Sequence, residues 1–163
     1  FGAQRVDVAL EPEITRLREL HRLISGFEFR RSIAFERIRH LDELSAVLRD
    51  GRLADGQELD SRGYQQAIQE AAALRLRVME VFRSVDILVS PSAAGPAPSG
   101  LQSTGDAAFS AAWSVVGNPA ISMPLFMAEN GLPIGVQFIA NIAQDDMLLA
   151  TAKSIFEVFS SPL

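Results

Sequence analysis

The sequence predicts an α/β protein in which helices pack on a mixed β-sheet, and three observations support this class. Apolar residues recur at spacings of three and four over much of residues 11–84, which is typical of amphipathic helices. An almost continuous apolar run, 85–89, directly follows, as in strands that are covered on both faces. Two further apolar segments, 120–126 and 134–139, flank an Asn-Gly turn and predict a β-hairpin.

The elements of the first half are a short strand and two helical stretches. Apolar residues alternate over residues 5–10, which indicates the strand. A long amphipathic pattern then continues to Leu48, and its length predicts a break near residues 39–42. We expect Asp60 or Ser61 to cap the helix that follows, because short oxygen-bearing side chains accept hydrogen bonds from the first turn.

The second half alternates loop, helix and strand. Residues 91–105 contain three prolines and three glycines and predict a long loop, which is either functional or a flexible linker. Asp106 is expected to cap a helix ending at Val116, and Asp145 to cap the last helix. Pro124 has no N–H for the ladder, which favours a strand end or a bulge at this position.

Length and composition limit the class of protein. A chain of 163 residues with 48% hydrophobic and 21% charged residues is typical of one folded domain. It has no cysteine, which excludes a disulfide framework and fits a cytoplasmic protein. The net charge of −5 disfavours broad nucleic-acid binding. No apolar run reaches the length of a membrane span, and no signal peptide is visible.

Charge is distributed unevenly along the chain. Residues 87–163 carry few charged side chains, namely Asp106, Glu129, Asp145, Asp146, Lys153 and Glu157. A segment this poor in charge is hard to solvate over its whole surface. We therefore expect part of it to form the core and part to pack against protein that lies outside this sequence.

The residues of this chain suggest no catalytic constellation. The two histidines, His21 and His40, lie among charged helical residues, which favours solvated side chains over a Ser–His–Asp triad. Lys153 is the only lysine and lies in the last predicted helix, apart from any Ser-rich loop. Gly95 and Gly100 lack the lysine that follows a phosphate-binding loop. We therefore predict no catalytic residue, no metal site and no cofactor in this chain.

Three side chains are candidates for lining a substrate pocket. Ser90 and Ser92 follow the predicted strand, and ligands of open α/β sheets bind beyond the carboxyl ends of strands. A role in capping a turn is an equally open alternative for both serines. Trp113 is the single tryptophan, and among small helical residues it either fills a gap in the core or forms the wall of an apolar pocket.

Five segments, in this order, resemble the C-terminal part of the amidase-signature family. They are Asp86-Ile-Leu-Val-Ser-Pro-Ser, Ser103-Thr-Gly-Asp, Phe109 with Trp113, Gly117-Asn-Pro-Ala-Ile-Ser-Met-Pro and Gly131-Leu-Pro-Ile-Gly-Val-Gln-Phe. The resemblance covers most of the chain and is most specific after residue 85. It implies that residues 1–163 are the C-terminal part of one amidase domain with an α/β/α fold. Residues 11–84 would form its helical half, and residues 85–163 its sheet and cleft-lining half.

The resemblance also implies a reaction. Enzymes of this family hydrolyse C–N amide bonds through an acyl-enzyme, formed on a serine that a second serine and a lysine activate. Those residues belong to a Gly/Ser-rich signature and an upstream lysine that this sequence lacks, so we expect them outside this chain and expect the chain alone to be inactive. Ser90, Ser92 and the segment reaching Trp113 resemble parts that border the family's substrate cleft. The implied partners are a small-molecule amide and the missing N-terminal amidase segment, while charge and hydropathy predict neither nucleic acid nor membrane as a partner.

Two other interpretations of the sequence remain open. The charge-poor second half also fits a non-catalytic, amidase-like subunit or interaction domain, and a homo-oligomer would cover the same apolar surface. The third interpretation is a small α/β binding domain that holds a ligand at the loop of Ser90.

Overall fold

In the computed structural model of the chain, which describes residues 2–160, helices cover both faces of a three-stranded sheet. The helices are α1 (Glu11–Ser32), α2 (Ala34–Arg39), α3 (Leu53–Asp55), α4 (Ser61–Val81), α5 (Ala111–Val116) and α6 (Asp145–Ser160). The strands are β1 (Ile87–Pro91), β2 (Ala120–Met127) and β3 (Pro133–Ala140). A 3₁₀ turn, Leu41–Glu43, and a π-helical turn, Leu48–Arg52, lie between α2 and α3.

The sheet has β3 at its centre, and β3 pairs antiparallel with both β1 and β2. The predicted α/β class and the predicted hairpin are confirmed, and the pairs among the described strands are all antiparallel. The register of β2 shifts between Pro124 and Phe126. This shift agrees with the bulge or strand end predicted at Pro124, because proline has no N–H donor for the ladder.

Each face of the sheet has its own hydrophobic core. One face packs against α6 in a cluster of Met123, Phe138, Ala140, Leu148 and Ala152. The other face packs against α1, α4 and α5 in a cluster of Leu17, Val78, Ala112, Trp113, Val116 and Ile139. The layers therefore follow the order helix, sheet, helix, as the α/β/α architecture requires.

The helical half is held together by close packing around α1. α1 and α4 enclose a cluster of Leu20, Ile24, Ala67 and Ala71. The α4 N-terminus is capped as predicted, because the Gly63 N–H donates to the Asp60 carboxylate at 2.7 Å. Gly26 of α1 approaches the turn after α3 so closely that a Cβ there would lie 2.9 Å from the Gly56 nitrogen.

Several predicted element boundaries in the first half are wrong. Residues 5–10 form no strand, because no described strand runs beside them. The long amphipathic pattern has two breaks. One lies near residues 39–42, as predicted, and the other follows Ser32, where Ile33 leaves the helical conformation. The apolar period of a sequence does not distinguish one long helix from two short ones that share a face.

Two expectations for the second half are also corrected. Asp106 does not cap α5, which begins at Ala111, and its carboxylate instead lies 3.9 Å from the guanidinium of Arg18. β1 begins two residues later than predicted and forms an edge of the sheet, so Val89 is 61% exposed. Within this chain the strand is therefore not covered on both faces.

Candidate functional site

The sheet face that packs on α5 changes from apolar to polar along its strands. Leu88 and Ile139 form a pair across β1 and β3 and pack in the core against the helices. The neighbouring row on the same face aligns Ser90, Gln137 and Ser122 across all three strands. Polar side chains thus collect at the carboxyl end of β1, as the general rule for ligand sites in α/β sheets leads one to expect.

Gln137 holds this row to the segment that precedes α5. Its side-chain Nε2 donates to the backbone carbonyl of Phe109 at 2.9 Å and to the hydroxyl of Ser90 at 3.4 Å. The Ser90 hydroxyl in turn donates to the carbonyl of Pro91 at 3.2 Å. Because Gln137 is only 6% exposed, these bonds satisfy a buried amide and fix the position of α5 against the sheet.

Ser122 also forms a hydroxyl pair with Ser92, which lies one step further along the same face. The Oγ atoms of Ser92 and Ser122 are 2.6 Å apart, although β1 and β2 do not pair with each other. Gly135 of β3 lies between them, and a Cβ at this position would come within 2.8 Å of both hydroxyl oxygens. The absence of a side chain at Gly135 therefore allows the two hydroxyls to meet above the central strand.

Ser122 and Gln137 also line a cleft of about 480 Å³ between the sheet, α5 and the start of α6. Its other walls include Trp113, Asn118, Pro119 and Asp145. The cleft falls in the size range of small-molecule sites, which combine an apolar wall with a few polar groups.

Asn118 contributes a buried amide to this cleft. Its Nδ2 donates to the carbonyl of Ala140 at 2.7 Å, while its Oδ1 is buried and has no hydrogen-bond partner among the described residues. The side chain is 8% exposed, so its orientation is fixed by the bond to β3.

A larger cavity of about 1030 Å³ runs along the outer edge of β1. Its lining comes from both faces of the sheet, from residues 3–8 and from α6, and it includes Leu88, Val89, Ser90, Trp113, Phe138 and Ile155. The cavity therefore lies beside the backbone of β1, between the two helical layers, where a further strand would continue the sheet.

The structure brings two of the three predicted pocket residues together. Ser90 and Trp113 line the larger cavity, and Trp113 also lines the smaller cleft. Ser92 lines neither cavity but contacts the cleft through its hydrogen bond to Ser122. Contact between these three residues and a substrate stays a prediction. Ser122 and Gln137 were not predicted as site residues, although a glutamine within the apolar run of β3 is a signal of a buried polar contact.

His21 and Lys153 lie away from the serine pair, whereas Asp145 lines the same cleft as Ser122. His21 of α1 lines neither of the two cavities, and its pKa is lowered by burial and by the nearby Arg52. Lys153 belongs to α6, which packs against the opposite face of the sheet from Ser90 and Ser122. Among residues 2–160, no group of three His, Asp or Glu side chains is placed to hold a metal ion. No helix in that range combines the length and the apolar composition needed to cross a bilayer.

Comparison with known proteins identifies relatives of the sequence. The model of the Amidase family matches residues 30–149. The putative amidase AmiC of Mycobacterium leprae (strain TN) is 32% identical over 104 residues, which are 56% of this chain and 22% of that protein. One glutamyl-tRNA(Gln) amidotransferase subunit, from Synechococcus sp. (strain CC9902), is 35% identical over 96 residues, which are 55% of this chain and 20% of that protein.

Solved structures give the same result for the fold. A crystal structure of an amidase superposes with a TM-score of 0.75 at 26% identity, covering 83% of this chain and 33% of that chain. The chain thus spans about a fifth of the length of the curated relatives and about a third of the superposed amidase.

Proposed function

The chain belongs to the amidase family, and we propose on this basis that it is the C-terminal part of an amidase that hydrolyses C–N amide bonds. Residues 1–163 would be part of one amidase domain, with a helical half, 11–84, and a sheet and cleft-lining half, 85–163. The observation that carries the proposal is the polar row of Ser90, Gln137 and Ser122 beside a cleft walled by Trp113. The amide substrate would bind at this end of the sheet.

In this proposal the catalytic residues lie outside the chain. A serine nucleophile needs a base within hydrogen-bond reach, commonly a histidine or a neutral lysine. The described serines of the cleft have neither, since Lys153 is on the far side of the sheet and His21 lines neither of the two cavities. The nucleophilic serine, the second serine and the lysine of a Ser-Ser-Lys mechanism would come from the missing N-terminal amidase segment.

Ser90, Ser92 and Trp113 would then line the substrate pocket without forming bonds to the substrate carbon. Trp113 is 8% exposed and separates the cleft from the larger cavity, so its ring would provide an apolar wall on both sides. Ser90 would position this wall through Gln137, which bonds to the segment before α5.

The outer edge of β1 supports a contact with the missing segment. β1 pairs with β3 on one side only, and the apolar cavity beside it is bounded by residues 3–8 and α6. Unpaired strand edges bind extended segments through backbone hydrogen bonds. We infer that an extended segment from the rest of the amidase continues the sheet at this edge.

Exposed apolar side chains at the opposite edge of the sheet, on β2 and α6, support a second contact with the missing segment. On α6, Leu148 and Ala152 are buried in the core, whereas Leu149, Phe156 and Phe159 are exposed. The Phe159 ring packs edge-to-face on Phe126 of β2, and the two side chains form an exposed aromatic patch. Patches of this kind mark contacts with other protein surfaces.

The experiment that tests this function measures release of an aromatic amine from a panel of acyl anilides by the natural protein that contains these residues. We expect release of the amine, and Trp113→Ala is expected to raise KM more than it lowers kcat because the ring binds the substrate in the ground and transition states alike. If the protein hydrolyses no anilide of the panel and no primary amide, the proposal is contradicted.

The exposed apolar patch also favours a second candidate, a non-catalytic amidase-like subunit or interaction domain. It predicts no amide hydrolysis by the natural protein together with a stable assembly, either with another protein or as a homo-oligomer. Size-exclusion chromatography with light scattering separates the two candidates, because a monomer that hydrolyses anilides excludes the second.

A further inference from the structure

The hydroxyl pair of Ser92 and Ser122 has an unused hydrogen-bond donor. Each serine hydroxyl carries one hydrogen, so the bond of 2.6 Å between the two oxygens uses one hydrogen and leaves the other. Within residues 2–160 neither side chain makes a further hydrogen bond. When Ser92 donates to Ser122, the hydrogen of the exposed Ser122 hydroxyl remains available to a ligand in the cleft.

The bond between the two hydroxyls makes this donor stronger than a single serine. A hydroxyl that accepts a hydrogen bond becomes polarised and donates more strongly to the next acceptor. The two oxygens are also held in position, because the backbone N–H of Ser92 donates to the carbonyl of Gly135 at 3.0 Å and Ser122 pairs with Gln137 in the sheet. A fixed donor costs a ligand less entropy than a rotating one.

The surroundings of the pair select the chemistry of the ligand. Asp145 is the charged side chain at the cleft, and its carboxylate disfavours an anionic ligand. Trp113 and Pro119 provide an apolar wall next to the hydroxyls. An uncharged carbonyl on an apolar substituent fits these features, whereas a carboxylate does not.

We propose that the Ser92–Ser122 hydroxyl pair binds the carbonyl oxygen of an uncharged carboxamide in the cleft beside Trp113. This inference rests on the proposed function for its choice of an amide, and it adds Ser122 as a binding residue next to Asp145, whose charge discriminates amides from the corresponding acids. Gly135 permits the site because it leaves room for both hydroxyls.

The test uses benzamide and benzoate as probes, with binding to the natural protein that contains this chain measured by calorimetry. We expect benzamide to bind more tightly than benzoate. Ser122→Ala and Ser92→Ala should each weaken benzamide binding about 3- to 10-fold, the effect of one neutral hydrogen bond, and Asp145→Asn should reduce the preference for benzamide over benzoate. A change in this preference separates ligand contact from a general loss of structure.

Ser114→Ala is the matched control. Ser114 borders the same cleft, but its hydroxyl donates to the carbonyl of Ser110 at 3.2 Å and has no hydrogen left for a ligand. Its removal should leave the dissociation constant for benzamide unchanged.

The outcomes separate this inference from the proposed function. Benzamide binding that both serine variants retain at the native strength, or benzoate binding as tight as that of benzamide, would overturn the inference even if the protein hydrolyses anilides. Loss of benzamide binding in both variants of a protein that hydrolyses no amide would uphold the site and reject the function.

Discussion

Asn118 donates a hydrogen bond of 2.7 Å from its side-chain nitrogen to the backbone carbonyl of Ala140 and so joins the turn after α5 to the end of β3. The Ala140 N–H returns a bond of 3.0 Å to the carbonyl of Pro119. The two bonds form a closed link between the helix that carries Trp113 and the central strand. The shape of the cleft therefore depends on a side chain that is itself largely buried.

Replacing this link should destabilise the fold. We expect Asn118→Ala to lower the free energy of unfolding by about 1 kcal/mol, because loss of the buried bond is offset in part by removal of the unpartnered Oδ1. Urea denaturation measures the change. Gln102→Ala, in the exposed loop between β1 and α5, is the control and should cost less. Equal losses in the two variants would contradict the structural role of Asn118.

Gly135 should tolerate no side chain beneath the hydroxyl pair. We expect Gly135→Ala to lower the free energy of unfolding by about 1–3 kcal/mol, because the new methyl group lies 3.0 Å from the Ser92 Cβ and 2.8 Å from both hydroxyl oxygens. Gly95→Ala is the control, since a Cβ there meets no atom within 4 Å. The same Gly135→Ala change made in a protein that already carries Ser92→Ala and Ser122→Ala should cost less. A cost that is independent of the two serines would show that the hydroxyls are not what limits this position.

The contact between α1 and the turn after α3 gives a second steric prediction. A Cβ on Gly56 would clash with the carbonyl of Gly26 and lie 2.8 Å from the Cβ of Arg30, whereas a Cβ on Gly51 meets no atom within 4 Å. We expect Gly56→Ala to lower the free energy of unfolding by about 1–3 kcal/mol and Gly51→Ala to leave it almost unchanged. Thermal unfolding of the two variants side by side measures the difference. A Gly56→Ala variant as stable as Gly51→Ala would contradict the close packing of the two segments.

The ion pair between α1 and α4 predicts a dependence of stability on pH. Arg16 donates from two nitrogens to the carboxylate of Glu70, each at 2.7 Å, and these hydrogen bonds lower the pKa of Glu70 below 4.5. A lowered pKa in the folded state stabilises the fold above pH 4.5, and the contribution is lost as the pH falls through the folded-state pKa.

Removal of the Glu70 charge should therefore matter near neutral pH and not in acid. We expect Glu70→Gln to lose less than about 1 kcal/mol at pH 7, since the pair is solvent-exposed, and to match the native protein in acid. Denaturant midpoints measured from neutral pH into acid provide the comparison. Glu129→Gln, in the exposed turn between β2 and β3, is the control. A stability difference that grows as the pH falls would have the wrong sign for this account.

The elements that the sequence predicted best depend on local interactions. The hairpin of β2 and β3 is encoded by an Asn-Gly turn between two apolar segments, and the α4 N-terminus by a capping aspartate, Asp60. Neither requires knowledge of distant residues. The bulge near Pro124 was predictable for the same reason, because the missing N–H belongs to the residue itself.

The polar row of the candidate site could not be predicted, because it depends on the pairing of distant strands. Ser90 and Gln137 are aligned only by the register of β1 on β3, and Ser122 joins them only through the register of β2. The sequence pointed to Ser90 and Ser92 through their place after a strand, but gave no information about Ser122. Residues 5–10 show the opposite error, since an alternating pattern forms a strand only beside a partner, and no described strand runs beside these residues.

The location of the catalytic machinery is tested most directly by comparing aryl-amide hydrolysis by this 163-residue chain with hydrolysis by the natural protein that contains it. The account predicts turnover by the natural protein and none by the isolated chain, because no histidine or lysine among residues 2–160 lines the cleft with its serines. Turnover by the isolated chain at the rate of the natural protein would contradict it.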